Sequence, residues 1–162
     1  MTSGDDNETP LQAVEPGYKH VLRVRLAIFW LVLLAGSLVL SAVWLDETAF
    51  AGALPAAVLA VAIGIITAAP ERTYRRLKYR LTERLLQVMR GWLFHVDTVV
   101  PLVRVQHIDV TRGPLDKMFG TATLVVHTAG THNSIVSLPG LSPERAAEIR
   151  DTIRAHVRTD YA

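Results

Sequence analysis

Cysteine is absent from the 162 residues. Its absence excludes disulfides, thiolate zinc sites and cysteine nucleophiles together, and it is compatible with a reducing compartment. Bases are missing from two places. Residues 1–18 hold four acids and no base, and the short segment Asp46-Glu47-Thr48 holds two acids and no base. The C-terminal half has no basic surplus either: residues 81–162 carry nine basic and eight acidic side chains, in a chain of net charge +2. A nucleic-acid reader carries its basic face on the folded domain, so nucleic acid is not an expected partner.

Catalytic patterns are also missing. Asp97, Asp109 and Asp116 could in principle pair as acid and base, but no base or nucleophile stands at a recognisable spacing from them. Ser134 and Ser137 lack a G-x-S-x-G context. Four of the six histidines fall in or near the expected strands, at positions 95, 107, 127 and 132, without the compact spacing of a zinc site. No enzyme activity, cofactor, metal or small-molecule substrate is expected.

Two long apolar runs are present. Leu26–Leu45 (LAIFWLVLLAGSLVLSAVWL) and Ala49–Ala69 (AFAGALPAAVLAVAIGIITAA) carry no charge. Each matches the roughly 20 residues that span ~30 Å of hydrocarbon. Three residues separate them, which implies a helical hairpin with both ends on one side of a membrane. Lys19, Arg23 and Arg25 precede the first run; Arg72, Arg75, Arg76, Lys78 and Arg80 follow the second, against a single Glu71. Because Lys and Arg are retained in the cytoplasm, the pattern places both termini inside and the chain in the cytoplasmic membrane. Ala49-Phe50-Ala51 resembles a signal-peptidase site, but the first run exceeds the usual 7–15-residue signal core and a second run follows at once. The expectation is a retained anchor.

Gly52, Ala56, Ala60, Gly64 and Ala68 stand four apart in the second run and form one ridge on a helix. Small ridges let membrane helices approach closely. The ridge is a candidate packing face for the first span or for another subunit, although an alanine-rich run produces such rows easily. The five-base cluster after the second run is a candidate site for anionic headgroups, worth roughly 1 kcal/mol per base near the surface; the same bases also serve as the topological signal.

Residues 1–17 are polar, acidic and hold two prolines; they read as a disordered tail. Residues 18–70 read as the membrane hairpin and 71–162 as a folded unit. Leu77, Tyr79 and Leu81 alternate with polar residues, as in a strand, within a stretch where helix and strand are hard to separate. Arg90-Gly91 marks a turn. Trp92–Val100 alternates next, with Trp92, Phe94, Val96, Thr98 and Val100 facing one way, until Pro101 interrupts. Val103–Arg112 alternates again, Ile108 and Val110 opposite His107 and Asp109. Gly113-Pro114 is a break, and Thr121–Thr128 and Ser134–Leu138 are further strands. Ser142 caps a last helix that begins at Pro143, with Ala146, Ile149, Ile153 and Val157 as its apolar stripe.

In this order and spacing, a set of short motifs becomes specific. Tyr79-Arg80-Leu81-Thr82, Pro101-Leu102-Val103-Arg104-Val105-Gln106, Arg112-Gly113-Pro114-Leu115, Phe119-Gly120, Thr128-Ala129-Gly130 and Leu138-x-Gly140-Leu141 together resemble the bacterial pleckstrin-homology-like (PH-like) domain family of the YdbS type. The resemblance covers Tyr79 to about Val157. It implies two nearly orthogonal antiparallel sheets forming a partly open barrel, capped by the C-terminal helix and joined to a membrane hairpin. Pro101, Gln106, Gly113, Pro114, Phe119, Gly120 and Gly130 carry the fold signature. The chain departs from the pattern at Lys117-Met118 and at His95, where arginine is common in the family. The resemblance supplies no catalytic residue. The resulting expectation is a membrane-anchored interaction module for a protein partner or a homo-oligomer, in contact with membrane lipids, with headgroup sensing as the alternative.

Overall fold

The computed structural model describes residues 10–44, 52–91, 96–129 and 135–160, the side chains to residue 156. The apolar runs form two long helices, α1 (Gly17–Trp44) and α2 (Ala53–Arg76). Only 11% of the most apolar window of each is buried. Ile28, Phe29, Leu31, Val32, Val39, Val43 and Trp44 are all more than half exposed. A core helix of a water-soluble protein would bury that surface, whereas hydrocarbon tolerates it on every side. The helices pack on each other along a narrow seam that buries Ser37, Ser41 and Ala62. The Ser37 hydroxyl donates to the Leu34 carbonyl at 2.8 Å, so it reaches the seam already satisfied.

Both helices overrun the apolar segments. α2 continues through Pro70, which is fully buried, to Arg76. Proline removes one donor from the helix ladder, a loss that packed membrane helices tolerate. Leu77 then switches to extended backbone and enters the sheet.

The β-unit holds two antiparallel sheets that do not close. The first has the order β1 (Gln12–Ala13), β2 (Lys78–Leu81), β3 (Leu85–Arg90), β4 (Val96–Pro101); the second runs β5 (Val105–Thr111), β6 (Ala122–Thr128), β7 (Ile135–Leu141). A single 3₁₀ turn, Leu102–Arg104, joins the sheets, and a short helix α3 (Pro114–Met118) links β5 to β6. The last helix, α4 (Pro143–Asp160), buries Ala146, Ile149 and Ile153 against β5, β6 and the 3₁₀ turn. Its cap is the Ser142 hydroxyl, which accepts from the Arg145 amide at 3.2 Å. Inward-facing Tyr79, Leu86, Val88, Val100, Leu124, Val126 and Leu138 fill the space between the sheets.

Two bulges bend the second sheet. Val105 and Ile108 both face the core although three residues apart, because the β5–β6 register shifts at Gln106. The β6–β7 register shifts between Ala122 and Leu124, leaving an extra residue on β7 beside Gly140, whose φ is +80°. Simple alternation over Val103–Arg112 therefore does not hold.

The division into tail, hairpin and folded unit also needs correcting. The last part of the expected tail is built into the domain. Gln12 pairs with Tyr79 and Ala13 with Lys78, and Val14 is buried. The first turns of α1 belong to the same core, since Tyr18 and Val21 are buried among the β-strands' side chains. An acidic, proline-containing sequence suggests disorder when read locally; here two residues of it, Gln12 and Ala13, find strand partners at Tyr79 and Lys78, far along the chain. The membrane hairpin is thus an insertion between two neighbouring antiparallel strands, β1 and β2. Its two ends lie on the same side by construction.

Candidate functional site

Two regions have the features of a site: the junction where the hairpin enters the domain, and the open side of the β-unit.

The junction is organised by glycines and one buried acid. A Cβ at Gly17 would collide with the Phe119 carbonyl, and a Cβ at Gly140 would stand 2.7 Å from Tyr18 Cγ. Glu15 N–H donates to the Gly140 carbonyl at 2.7 Å. The ring of His20 stacks on Phe119 at 5.8 Å. Below them, Asp116 is 5% exposed. Its carboxylate accepts from Gly113 N–H at 3.0 Å and from the Thr121 hydroxyl at 2.9 Å, and Arg25 Nη2 lies 3.9 Å away. The acid expected to have no catalytic partner is a structural brace: it closes the α3 turn and meets the last base of α1 before the membrane. Pro114 opens α3, and Gly120 takes a left-handed φ of +65°. Most of the fold-signature residues thus build the seat for α1. Gly113-Pro114-x-Asp116 carried a readable helix-start signal, with proline in the first position and an acid in the third; the contacts to Gly17 and Tyr18 had none. Gly130 lies outside the described residues, as do Trp92, Phe94, His95, His132 and Ser134.

A second hub ties the N-terminal strand to the last helix. Arg145 Nη2 donates to Gln12 Oε1 at 2.8 Å, Nε to the Tyr79 hydroxyl at 3.2 Å, and Nη1 to Glu148 at 2.7 Å. The Tyr79 and Glu148 contacts push the guanidinium pKa further above its ordinary value, so Arg145 remains a cation at any pH the fold survives.

The basic cluster does not converge. Arg72, Arg75 and Arg76 ride the last turns of α2 and are exposed. Arg75 donates to Glu71 at 2.9 Å. Lys78 and Arg80 lie on the outer face of β2; Lys78 is exposed, while Arg80 is half-buried and its Nε is hidden from solvent without a hydrogen-bond partner. These bases make a broad cationic collar with no single anion cradle.

The small-residue ridge faces away from α1. Gly52, Ala56, Ala60, Gly64 and Ala68 are all exposed, and nothing lies within 4 Å of a Cβ built at Gly52 or Gly64. The seam with α1 is made by the opposite face of α2, around Ala62. In this structure the ridge is not the face that packs on the first span.

The open side of the β-unit holds a cavity of about 330 Å³, between β4, the end of the 3₁₀ turn and the adjoining ends of β6 and β7. Val96, Thr98, Val100, Arg104, Thr128 and Val136 line it. Val99 on its rim is more than half exposed. Among the described residues β4 pairs only with β3, so its other edge presents unpaired backbone groups. On the outer face of the second sheet, His107 Nε2 and His127 Nε2 lie 2.9 and 3.4 Å from the two oxygens of Asp109. The described residues contain no group of three side chains arranged to hold a metal ion.

Comparison with known proteins agrees with this architecture. The family model for the bacterial PH domain matches residues 21–157. The transmembrane protein YdbS of Bacillus subtilis strain 168 is 34% identical over 102 residues, which cover 63% of this chain and 62% of that protein. The match thus spans less than two thirds of its relative. No solved structure matches significantly. With its two exposed apolar helices, two unclosed antiparallel sheets and C-terminal helix, the chain belongs to the bacterial PH domain family and is a membrane-associated protein of the YdbS type.

Proposed function

We propose that the chain is a non-enzymatic interaction module that receives an extended protein segment at the free edge of β4, held at the cytoplasmic face of the membrane by its hairpin. The observation that carries this reading is the unpaired β4 edge over the 330 Å³ cavity. An added strand satisfies the edge through main-chain hydrogen bonds, while alternate side chains enter the groove beside Val96, Val100 and Val136. Tethering to a membrane raises the local concentration of another membrane protein, so modest affinity suffices. The two-acid loop and the bases flanking the spans favour the cytoplasmic orientation.

A photo-crosslinking side chain at Val99 in native membranes tests the reading. The expected product is a discrete protein adduct at Val99 and none at the exposed Arg154 of α4. Adducts with other copies of the chain alone identify self-assembly as the use of the edge. Absence of a discrete adduct at Val99 defeats the proposal.

The second reading, sensing of anionic headgroups, draws support from the exposure of Arg72, Arg75 and Lys78 directly beyond the apolar part of α2. It requires selectivity between headgroups of equal charge. If the intact protein in nanodiscs is equally stabilised by all of them, the collar is only a topological signal.

A further inference from the structure

We infer that α3 is a membrane-seated foot, with Met118 inserted among the lipid headgroups and Lys117 beside their phosphates. The inference rests on the hairpin crossing the bilayer; it does not depend on what β4 binds.

The argument is one of height. Arg25 is the last charge on α1 before the apolar run, so it marks the edge of the hydrocarbon. Its guanidinium lies 3.9 Å from Asp116 of α3. Phe119, which follows α3, stacks on His20. His20 precedes Arg25 by five residues, roughly 7–8 Å along a helix at ~1.5 Å per residue. The headgroup zone is about 5–8 Å deep on each side, from the difference between a ~30 Å hydrocarbon core and a ~40–45 Å bilayer. Residues 116–119 therefore occupy the depth of that zone, beside α1.

The chemistry of the surface fits. Met118 is 74% exposed, one of the most exposed large apolar residues of the described chain, although it belongs to a helix whose Leu115 packs on the core. A bare methionine at headgroup depth loses nothing to water once lipid covers it. Lys117 and Arg112 are exposed on the same connection. The Arg25 side chain is 58% exposed, so its guanidinium can face Asp116 on one side and a lipid phosphate on the other. The occupant is the lipid surface, because the same helix that positions α3 continues directly into the hydrocarbon.

The cysteine-free chain allows a direct test with single-cysteine variants of the whole protein, labelled with an environment-sensitive fluorophore in nanodiscs of phosphatidylglycerol and phosphatidylethanolamine. Met118→Cys should give blue-shifted emission that loses most of its intensity to a nitroxide on the headgroup. Ile135→Cys, exposed at the end of β7 opposite Gly140, should keep aqueous emission. Phe29→Cys, on the exposed face of α1, should be quenched by a nitroxide on the acyl chain. Aqueous emission at Met118 with quenching at Phe29 overturns the foot and leaves the hairpin standing. Blue-shifted emission at Met118 that no lipid nitroxide quenches identifies a protein contact and also overturns it. Loss of quenching at Phe29 overturns the membrane reading itself.

Discussion

Gly140 lies against Tyr18 so closely that a Cβ at position 140 would stand 2.7 Å from Cγ of the tyrosine. One residue belongs to a bulged strand of the β-unit, the other to the first turn of a helix that runs on into the membrane. Gly140→Ala meets two penalties: a left-handed φ of +80°, which costs an L-residue ~1–2 kcal/mol, and the collision with the ring. The expected result is a clear fall in melting temperature in detergent or nanodiscs. The collision involves both the ring and the Cβ of Tyr18, the latter at 2.8 Å, so only in a Tyr18→Gly background is it gone, and there the second substitution should cost only the conformational part. Additive losses would show that the two residues do not press on each other.

Asp116 predicts a different kind of loss. It is buried, and its two oxygens accept from Gly113 and Thr121. Asp116→Ala leaves both donors without that acceptor and should destabilise the protein by ~1–3 kcal/mol. Thr121→Val removes one donor and should cost less. Denaturant titration of the two variants checks the order; equal, negligible effects would remove Asp116 from its role as brace.

The hairpin seam can be separated from the small-residue ridge by two substitutions to leucine. Ala62 is 6% exposed against α1, whereas Gly64 has open space around it. Ala62→Leu should splay the hairpin and lower thermal stability, as overpacking typically costs ~1–3 kcal/mol. Gly64→Leu should leave the protomer's stability intact. If Gly64→Leu instead changes the mass of the protein–detergent particle, the ridge is an interface between copies.

A fragment beginning at Glu71 contains every strand from β2 to β7 and α4, yet it should not fold to a unique state. It lacks Val14, Tyr18 and Val21, three members of the buried core, where a fully buried aliphatic side chain contributes roughly 1.5–3 kcal/mol. Poor dispersion in its proton–nitrogen NMR spectrum is the expected outcome. A well-dispersed spectrum would show that the hairpin's base is dispensable.

The sequence disclosed what repeats within one element. Uncharged runs gave the two membrane helices, alternation gave β2, β4 up to Pro101, β6 and β7, and a capped apolar stripe gave α4. Read together, the short motifs also disclosed the two-sheet PH-like architecture. What stayed hidden depends on partners far along the chain. β1 is two residues long, too short for any period, and exists because Tyr79 and Lys78 present an open edge. The bulge at Gln106 breaks the alternation that a strand reading assumes. The β2–β3 hairpin was blurred because its apolar residues, Leu81, Leu85 and Leu86, fit a helix as well as a turn between strands. Gly140 was legible as a motif, but its neighbour Tyr18 lies on the far side of a membrane insertion.

That insertion has a mechanical side. β1 and β2 are held together by a two-residue ladder and by the Arg145 clasp on Gln12 and Tyr79. The hairpin is the loop that joins them, so a change in the tilt of α1 relative to α2 pulls on its two ends in opposite senses. The shear falls on the shortest pairing in the first sheet. A lever roughly 40 Å long, at ~1.5 Å per residue over the 28 residues of α1, thus ends on the weakest seam of the domain, and the state of the membrane becomes a load that the β-unit must bear.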